Sequence, residues 1–147
     1  MAVHPSILDL IGDTPIVDVS MLSPNPSARL LAKLEGQNPT GSVKDRIARA
    51  MVEDAEADGT LVPGRTIIEP SSGNTGIALA MIARMRGYPI KIVLPENVSI
   101  ERRQALEVFG AEIISSPGDE GSNGAVRLAR RLADENPEWV FLYQYAN

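Results

Sequence analysis

Two short segments of this chain bring together the residue types that amine and carboxylate chemistry needs. The first is Asn38-Pro39-Thr40-Gly41-Ser42-Val43-Lys44-Asp45-Arg46. A Pro/Gly loop runs straight into a helix. Ser42 can cap that helix, and Asp45, three residues on, can complete a capping-box-like pair. Lys44 then falls in the first helical turn, an odd place for a lysine. A helix N-terminus carries partial positive charge and disfavours a further cation by about a few tenths of a kcal/mol. An amine that gives up its proton easily is what Schiff-base chemistry requires. Position alone fits a surface lysine at a helix start equally well.

The second segment is Glu69-Pro70-Ser71-Ser72-Gly73-Asn74-Thr75-Gly76, at the end of a strand and the start of a helix. Free backbone N–H groups at such a place can bind a carboxylate or a phosphate. Gly73 and Gly76 permit close ligand approach. Ser71, Ser72 and Thr75 add hydroxyls, and Asn74 adds an amide. Ligands bind at the carboxyl ends of parallel strands, which is where this loop lies. The blander reading is a well-capped strand-to-helix turn. The fingerprints G-x-G-x-x-G and G-x-x-x-x-G-K-[ST] are both absent.

The elements that must hold these segments follow from periodicity. Short apolar runs alternate with helix-like stretches. Thr66 to Glu69 precedes a helix from Asn74 to Arg86. Lys91 to Leu94 precedes an amphipathic helix from Ile100 to Phe109. Glu112 to Ser115 precedes a helix from Ser122 to Glu135, and Trp139 to Tyr143 closes the series. Strand starts recur every 20–28 residues or so, the size of a βα unit in a parallel sheet. The runs are near-continuously apolar, as for strands covered on both faces. The predicted fold class is therefore α/β, a parallel-sheet, three-layer arrangement. Gly87 and Gly110 read as helix stops, and Ser99 and Ser122 as N-caps. Before this series, Ser6 to Ile11 reads as a short helix, and Ile16 to Val19 with Arg29 to Leu34 as a strand pair. Val43 to about Asp58 reads as a helix with Val43, Ile47, Met51 and Ala55 on one face.

Composition limits the function classes. The chain has 147 residues, 44% of them hydrophobic and 22% charged, enough for one domain with a real core. A net charge of −5 argues against nucleic acid or an anionic membrane as partner. The pairs Arg102–Arg103 and Arg130–Arg131 read as solvated helix faces. There is no cysteine, so a disulfide, a zinc–thiolate site and a catalytic thiol are excluded from these residues. This fits a cytoplasmic location. The opening MAVHPSILDLIGD lacks the basic and long apolar regions of a signal peptide. Its lone His4 has no partners at ligand spacing, so no metal site is expected. Trp139 and Phe141 read as core residues, Met81 and Met85 as gap-fillers, and Glu53 to Asp58 as a solvated helix end. Asp45 and Arg46 read as structural.

Together the two segments resemble the cysteine synthase and cystathionine β-synthase family, within the tryptophan-synthase-like pyridoxal-phosphate (PLP) fold. Ile11-Gly12-Asp13-Thr14-Pro15 looks like that family's early IGNTP motif. Lys33-Leu34-Glu35 followed by NPTGSVKDR is similar to its cofactor-lysine motif. SSGNTG is similar to its TSGNTG loop, and Tyr143-Gln144-Tyr145-Ala146-Asn147 to the start of Q-[FY]-x-N-P-x-N. Asp13 stands where the family usually has Asn, and Ser71 where it usually has Thr. The resemblance implies that Lys44 carries PLP as a Schiff base and moves the substrate's α-proton. It implies that Asn74 hydrogen-bonds the cofactor's 3-hydroxyl. It also implies that Ser71, Ser72, Gly73, Thr75 and Gln144 hold the amino acid's α-carboxylate.

The implied reaction is β-replacement, in which an activated serine (O-acetylserine or O-phosphoserine) and a sulfur donor give cysteine. Ser99 to Arg103 and Asp119 to Asn123 look more like the family's B-type branch. Cystathionine β-synthase, joining serine to homocysteine, shares every motif above. A non-catalytic fragment is the reading from another class. Dehydratases of the same fold usually carry S-F-K-x-R-G, so SVKDR counts against them. The family's phosphate loop and pyridine-nitrogen partner lie beyond the matched region. Residues 1–44 are thus expected to belong to a large domain whose C-terminal remainder is absent, and residues 45–147 to form the small domain. The resemblance further implies a homodimer of the complete protein.

Overall fold

The computed structural model describes residues 3–145. A 3-10 turn, Ile7–Leu10, opens it, closed by a capping box between Ser6 and Asp9. It is the predicted short helix in 3-10 form, one residue shorter at each end. Strands β1 (Ile16–Asp18) and β2 (Leu31–Lys33) then pair antiparallel. Helix α1 (Lys44–Ala57) follows, and with it the βα series: β3 (Thr66–Pro70), α2 (Asn74–Arg86), β4 (Ile90–Pro95), α3 (Ile100–Val108), β5 (Glu112–Ser116), α4 (Gly121–Glu135) and β6 (Trp139–Phe141). The four later strands form one parallel sheet in the order β5-β4-β3-β6.

The pleat sends alternate residues to opposite faces and so builds three layers. Ile67, Ile92 and Leu94 join Met51 and Val52 of α1, Leu79, Met81 and Ile82 of α2, and Leu106 of α3. Ile68 and Val93 face the other way, onto Ala125 and Ala129 of α4. Helix α2 is apolar almost all round because it lies between α1 and the sheet.

Several local expectations are corrected. The buried face of α1 is Asp45, Ala48, Met51, Val52 and Ala55, while Val43 and Ile47 are 45% and 39% exposed. A strict four-residue step drifts around a 3.6-residue helix, so the stripe that reaches the core at Met51 and Ala55 starts off it at Val43 and Ile47. Helix α4 starts at Gly121, after a 3-10 turn at Gly118–Glu120. Ser122 therefore sits inside the first turn and is not the N-cap. Ser99 does occupy the N-cap of α3, without a side-chain cap bond. Met85 is exposed, so gap-filling describes only Met81. Glu53 and Glu56 are ion-paired to Arg86 across the α1–α2 contact. Arg102 and Arg103 are not merely solvated: they donate to the carbonyls of Ser72 and of Pro95 and Glu96. Strand β6 stops two residues early, because Tyr143 turns into the left-handed region at φ 51°.

Candidate functional site

The first loop is fixed from both sides. Ser42 Oγ accepts from the Lys44 N–H at 3.1 Å. The N-cap of α1 is nevertheless Val43, without a side-chain cap bond, and the expected capping box between Ser42 and Asp45 does not form. Gly41, at φ 80°, folds Thr40 back over the helix start. The buried Asp45 carboxylate accepts from the Thr40 N–H at 2.8 Å and from the Thr40 hydroxyl. Its place is thus in the loop and not on the Ser42 N–H.

A second cluster anchors α1 to the N-terminal motifs. Arg46 Nε donates to Glu35 Oε2 at 2.8 Å, and Nη2 donates to Oε1 at 3.1 Å and to Thr14 Oγ1 at 3.2 Å. Thr14 Oγ1 donates to Glu35 Oε1, and Asn38 Nδ2 to Glu35 Oε2. Asn38 Oδ1 accepts from Gly12 N–H at 2.9 Å. The Arg46 guanidinium, with Thr14, holds the Glu35 carboxyl down to about 2. Gly12 and Asp13 both have positive φ, 97° and 45°. Asn enters this conformation more readily than most residues. The Asn usual at position 13 in the resembled family suits that backbone.

The second loop leaves β3 and enters α2. Ser71 is buried, and its Oγ accepts from Gly76 N–H at 2.9 Å. A Cβ on Gly76 would lie 3.1 Å from both Cβ and O of Ser71, so any side chain there must push the Ser71 backbone outward by a few tenths of an ångström. The N–H groups of Asn74 and Thr75 meet no acceptor among the described residues. Gly73, the N-cap, supplies no side chain to take them. Two uncommitted donors at the positive end of a helix form an anion seat.

These loops and the turn after β6 share one cavity of about 270 Å³. Lys44, Ser71, Ser72, Gly73, Asn74, Thr75 and Gln144 all line it, with Pro70, Pro95, Ser122, Ala125, Val126 and Tyr145. The wall from α4 was not foreseen, and only Ser122 there had a polar signal. Ala146 and Asn147, the end of the last motif, lie outside the described residues. His4 is exposed, and no group of three or more metal-type ligands occurs among the described residues.

One residue behind the cavity escaped the sequence reading. Glu69 is fully buried at the end of β3. Its two oxygens accept from Tyr143 N–H at 2.7 Å and Gln144 N–H at 3.0 Å. Burial pushes its carboxyl up to about 7, partly countered by those two amides. The signal was present as an acid inside the apolar run Ile67-Ile68-Glu69.

Residues 7–147 match the family described as pyridoxal-phosphate dependent enzyme. A cysteine synthase of Flavobacterium sp. is 50% identical over 134 residues, which are 90% of this chain and 43% of that protein. A cysteine synthase B of Pseudomonas syringae pv. syringae is 48% identical over 144 residues, 98% of this chain and 85% of that protein. A solved cysteine synthase of Entamoeba histolytica superposes with a TM-score of 0.90 at 39% identity, covering 96% of this chain and 43% of that one. A solved O-ureido-L-serine synthase gives 0.88 at 44% identity, covering 96% and 44%. The chain thus spans less than half the length of the Flavobacterium and Entamoeba proteins.

Proposed function

This chain belongs to the pyridoxal-phosphate-dependent enzyme family, and on that premise we propose that it carries the lysine and carboxylate-binding part of a site that makes cysteine from an activated serine and a sulfur donor. One observation carries the reading. The Lys44 loop and the uncommitted N-terminus of α2 line the same cavity. The donor set fits the cofactor and its amino acid: an amine for the aldehyde, an amide at Asn74 for the ring hydroxyl, and N–H groups with hydroxyls for a carboxylate.

When bound, pyridoxal phosphate supplies the electron sink for cleavage at the amino acid's α-carbon. The chain's own groups do the rest. Lys44 Nζ anchors the cofactor and then holds or returns a proton at its nitrogen. The Asn74 and Thr75 N–H groups, with the Ser72 and Thr75 side chains, seat the α-carboxylate at the helix N-terminus. Ser71 Oγ accepts from the Gly76 amide, so its part is to shape the seat. The cysteine synthase B relative supports the B-type branch.

Borohydride reduction of the intact protein with PLP, followed by peptide mapping, tests the assignment. The label is expected on Lys44, and Lys44→Ala should abolish both label and turnover. A label on another side chain overturns it. Product analysis with O-acetylserine, O-phosphoserine and serine, each against sulfide and homocysteine, then fixes the substrates. Formation of cystathionine alone would replace cysteine synthesis by its sister reaction.

We also infer a homodimer of the complete protein, working in the cytoplasm. The family resemblance supports the first, and the cysteine-free sequence the second. No helix among the described residues is long and apolar enough to cross a membrane. Residues 1–44 are proposed as part of a larger domain, with residues 45–147 as the small one. Ile16, Val17, Leu30 and Leu31 support this, since the β1–β2 pair leaves all four exposed.

A further inference from the structure

We propose that Glu69 is the positioning residue of this cavity: its buried carboxylate grips the backbone of Tyr143 and Gln144 and so sets where Gln144 stands in the cavity wall. The proposal rests on reading the cavity as the amino-acid site.

Three observations meet here. First, Glu69 is the only acidic residue that is both fully buried and at the carboxyl end of a described strand, next to the loop that builds the cavity. Second, both of its oxygens are spent on the amides of residues 143 and 144, more than seventy positions away. Third, Tyr143 is held at φ 51°, a conformation that an aromatic side chain rarely adopts. Such a residue persists only where its surroundings over-determine it, and such places concentrate at functional sites. The carboxylate supplies that constraint. Without it, nothing after Leu142 ties the Gln144 turn to β3 among the described hydrogen bonds.

No cation shares the task. Glu69 is in no ion pair among the described residues. From β4, Lys91 is turned to Glu112 and the Trp139 ring. From α4, Arg130 lies over the Tyr143 ring, 5.3 Å from its centroid. From α1, Asp45 is engaged with Thr40, and Lys44 faces the shared cavity. The charged residues of α2, Arg84 and Arg86, stand in its last turn, far from β3's carboxyl end. A structural ion pair is therefore not what keeps an acid here.

Glu69→Gln in the intact protein tests the idea, because an amide side chain can accept only one of the two N–H donors. Amide exchange at Tyr143 and Gln144 should quicken on the order of tenfold at one or both positions. Ile68 and Val93 should be unchanged. With PLP loaded, the dissociation constant for L-serine should rise on the order of tenfold, while borohydride labelling of Lys44 stays as in the wild type. Unchanged exchange at both amides overturns the proposal, and so does unchanged serine affinity with altered exchange. Should the variant fail to fold, the wild type decides. Protection of the two amides, corrected for intrinsic rates, must climb in step with ionisation of the Glu69 carboxyl, which burial moves upward from the ordinary carboxylate range and which its own side-chain carbon-13 shift follows. A flat profile overturns the proposal. Loss of the Lys44 label in the wild type would sink the cofactor reading instead and leave the amide result intact.

Discussion

Replacing Glu69 by Gln should reverse its effect on stability as pH changes. The carboxyl stands near 7 in the fold against an ordinary value near 4.5. At about 1.4 kcal/mol for each tenfold in proton affinity, ionising it inside the fold costs roughly 3 kcal/mol relative to the unfolded chain. The sign follows from proton counting. The folded state binds more protons between the two values, so this contribution is whole below about pH 4.5 and is lost as pH rises through about 7. Gln never ionises, but it leaves one amide without an acceptor, a loss of about 1 kcal/mol. The variant should thus be about 1 kcal/mol less stable at pH 4 and about 2 kcal/mol more stable at pH 8, with the curves crossing a little above pH 5. Urea unfolding of both proteins without cofactor, at one-unit steps of pH, measures this directly. A gap that does not vary with pH would show that burial is not what sets the Glu69 proton equilibrium.

Two further outcomes follow from the site's supports. Gly76→Ala places a methyl 3.1 Å from Ser71 Cβ and O. Although alanine favours the helix by about 1 kcal/mol, backbone cannot yield as a flexible side chain can. A melting temperature below that of the wild type is expected, with weaker L-serine binding, and an unchanged melt would show that the loop relaxes freely. Glu35→Gln should remove acid sensitivity. The wild-type carboxyl, held down to about 2 by Arg46 and Thr14, contributes stability above pH 4.5 that is lost as pH falls toward 2. Acid titration of the two proteins should diverge in that window, and parallel curves would count against the cluster.

The βα series was legible because its strands are apolar runs and α2 and α3 are each followed by a glycine stop, Gly87 and Gly110. Helix α2 begins and ends where its Asn74 and Gly87 say it should. The cavity residues were legible because motif chemistry is local: Ser71 to Thr75 adjoin in sequence and in space. What failed was non-local. Nothing near Glu69 in sequence shows that its acceptors serve amides 74 and 75 positions away. Register alone pairs Asp45 with the Ser42 N–H, but the Gly41 turn delivers Thr40 instead. The face of α1 was misdrawn because the helix is covered by α2, whose position periodicity alone does not give.

The sheet's strand order has a temporal consequence. Strand β6 follows every other described strand in sequence, yet it pairs with β3, Thr66 beside Trp139. Contacts of such long separation close late, since a long loop must first be drawn shut. During synthesis the lysine loop and the start of α2 therefore emerge long before Gln144. Until β6 docks, the Glu69 side chain lacks the Tyr143 and Gln144 amides as donors. Arrival of those donors and completion of the pocket are one event.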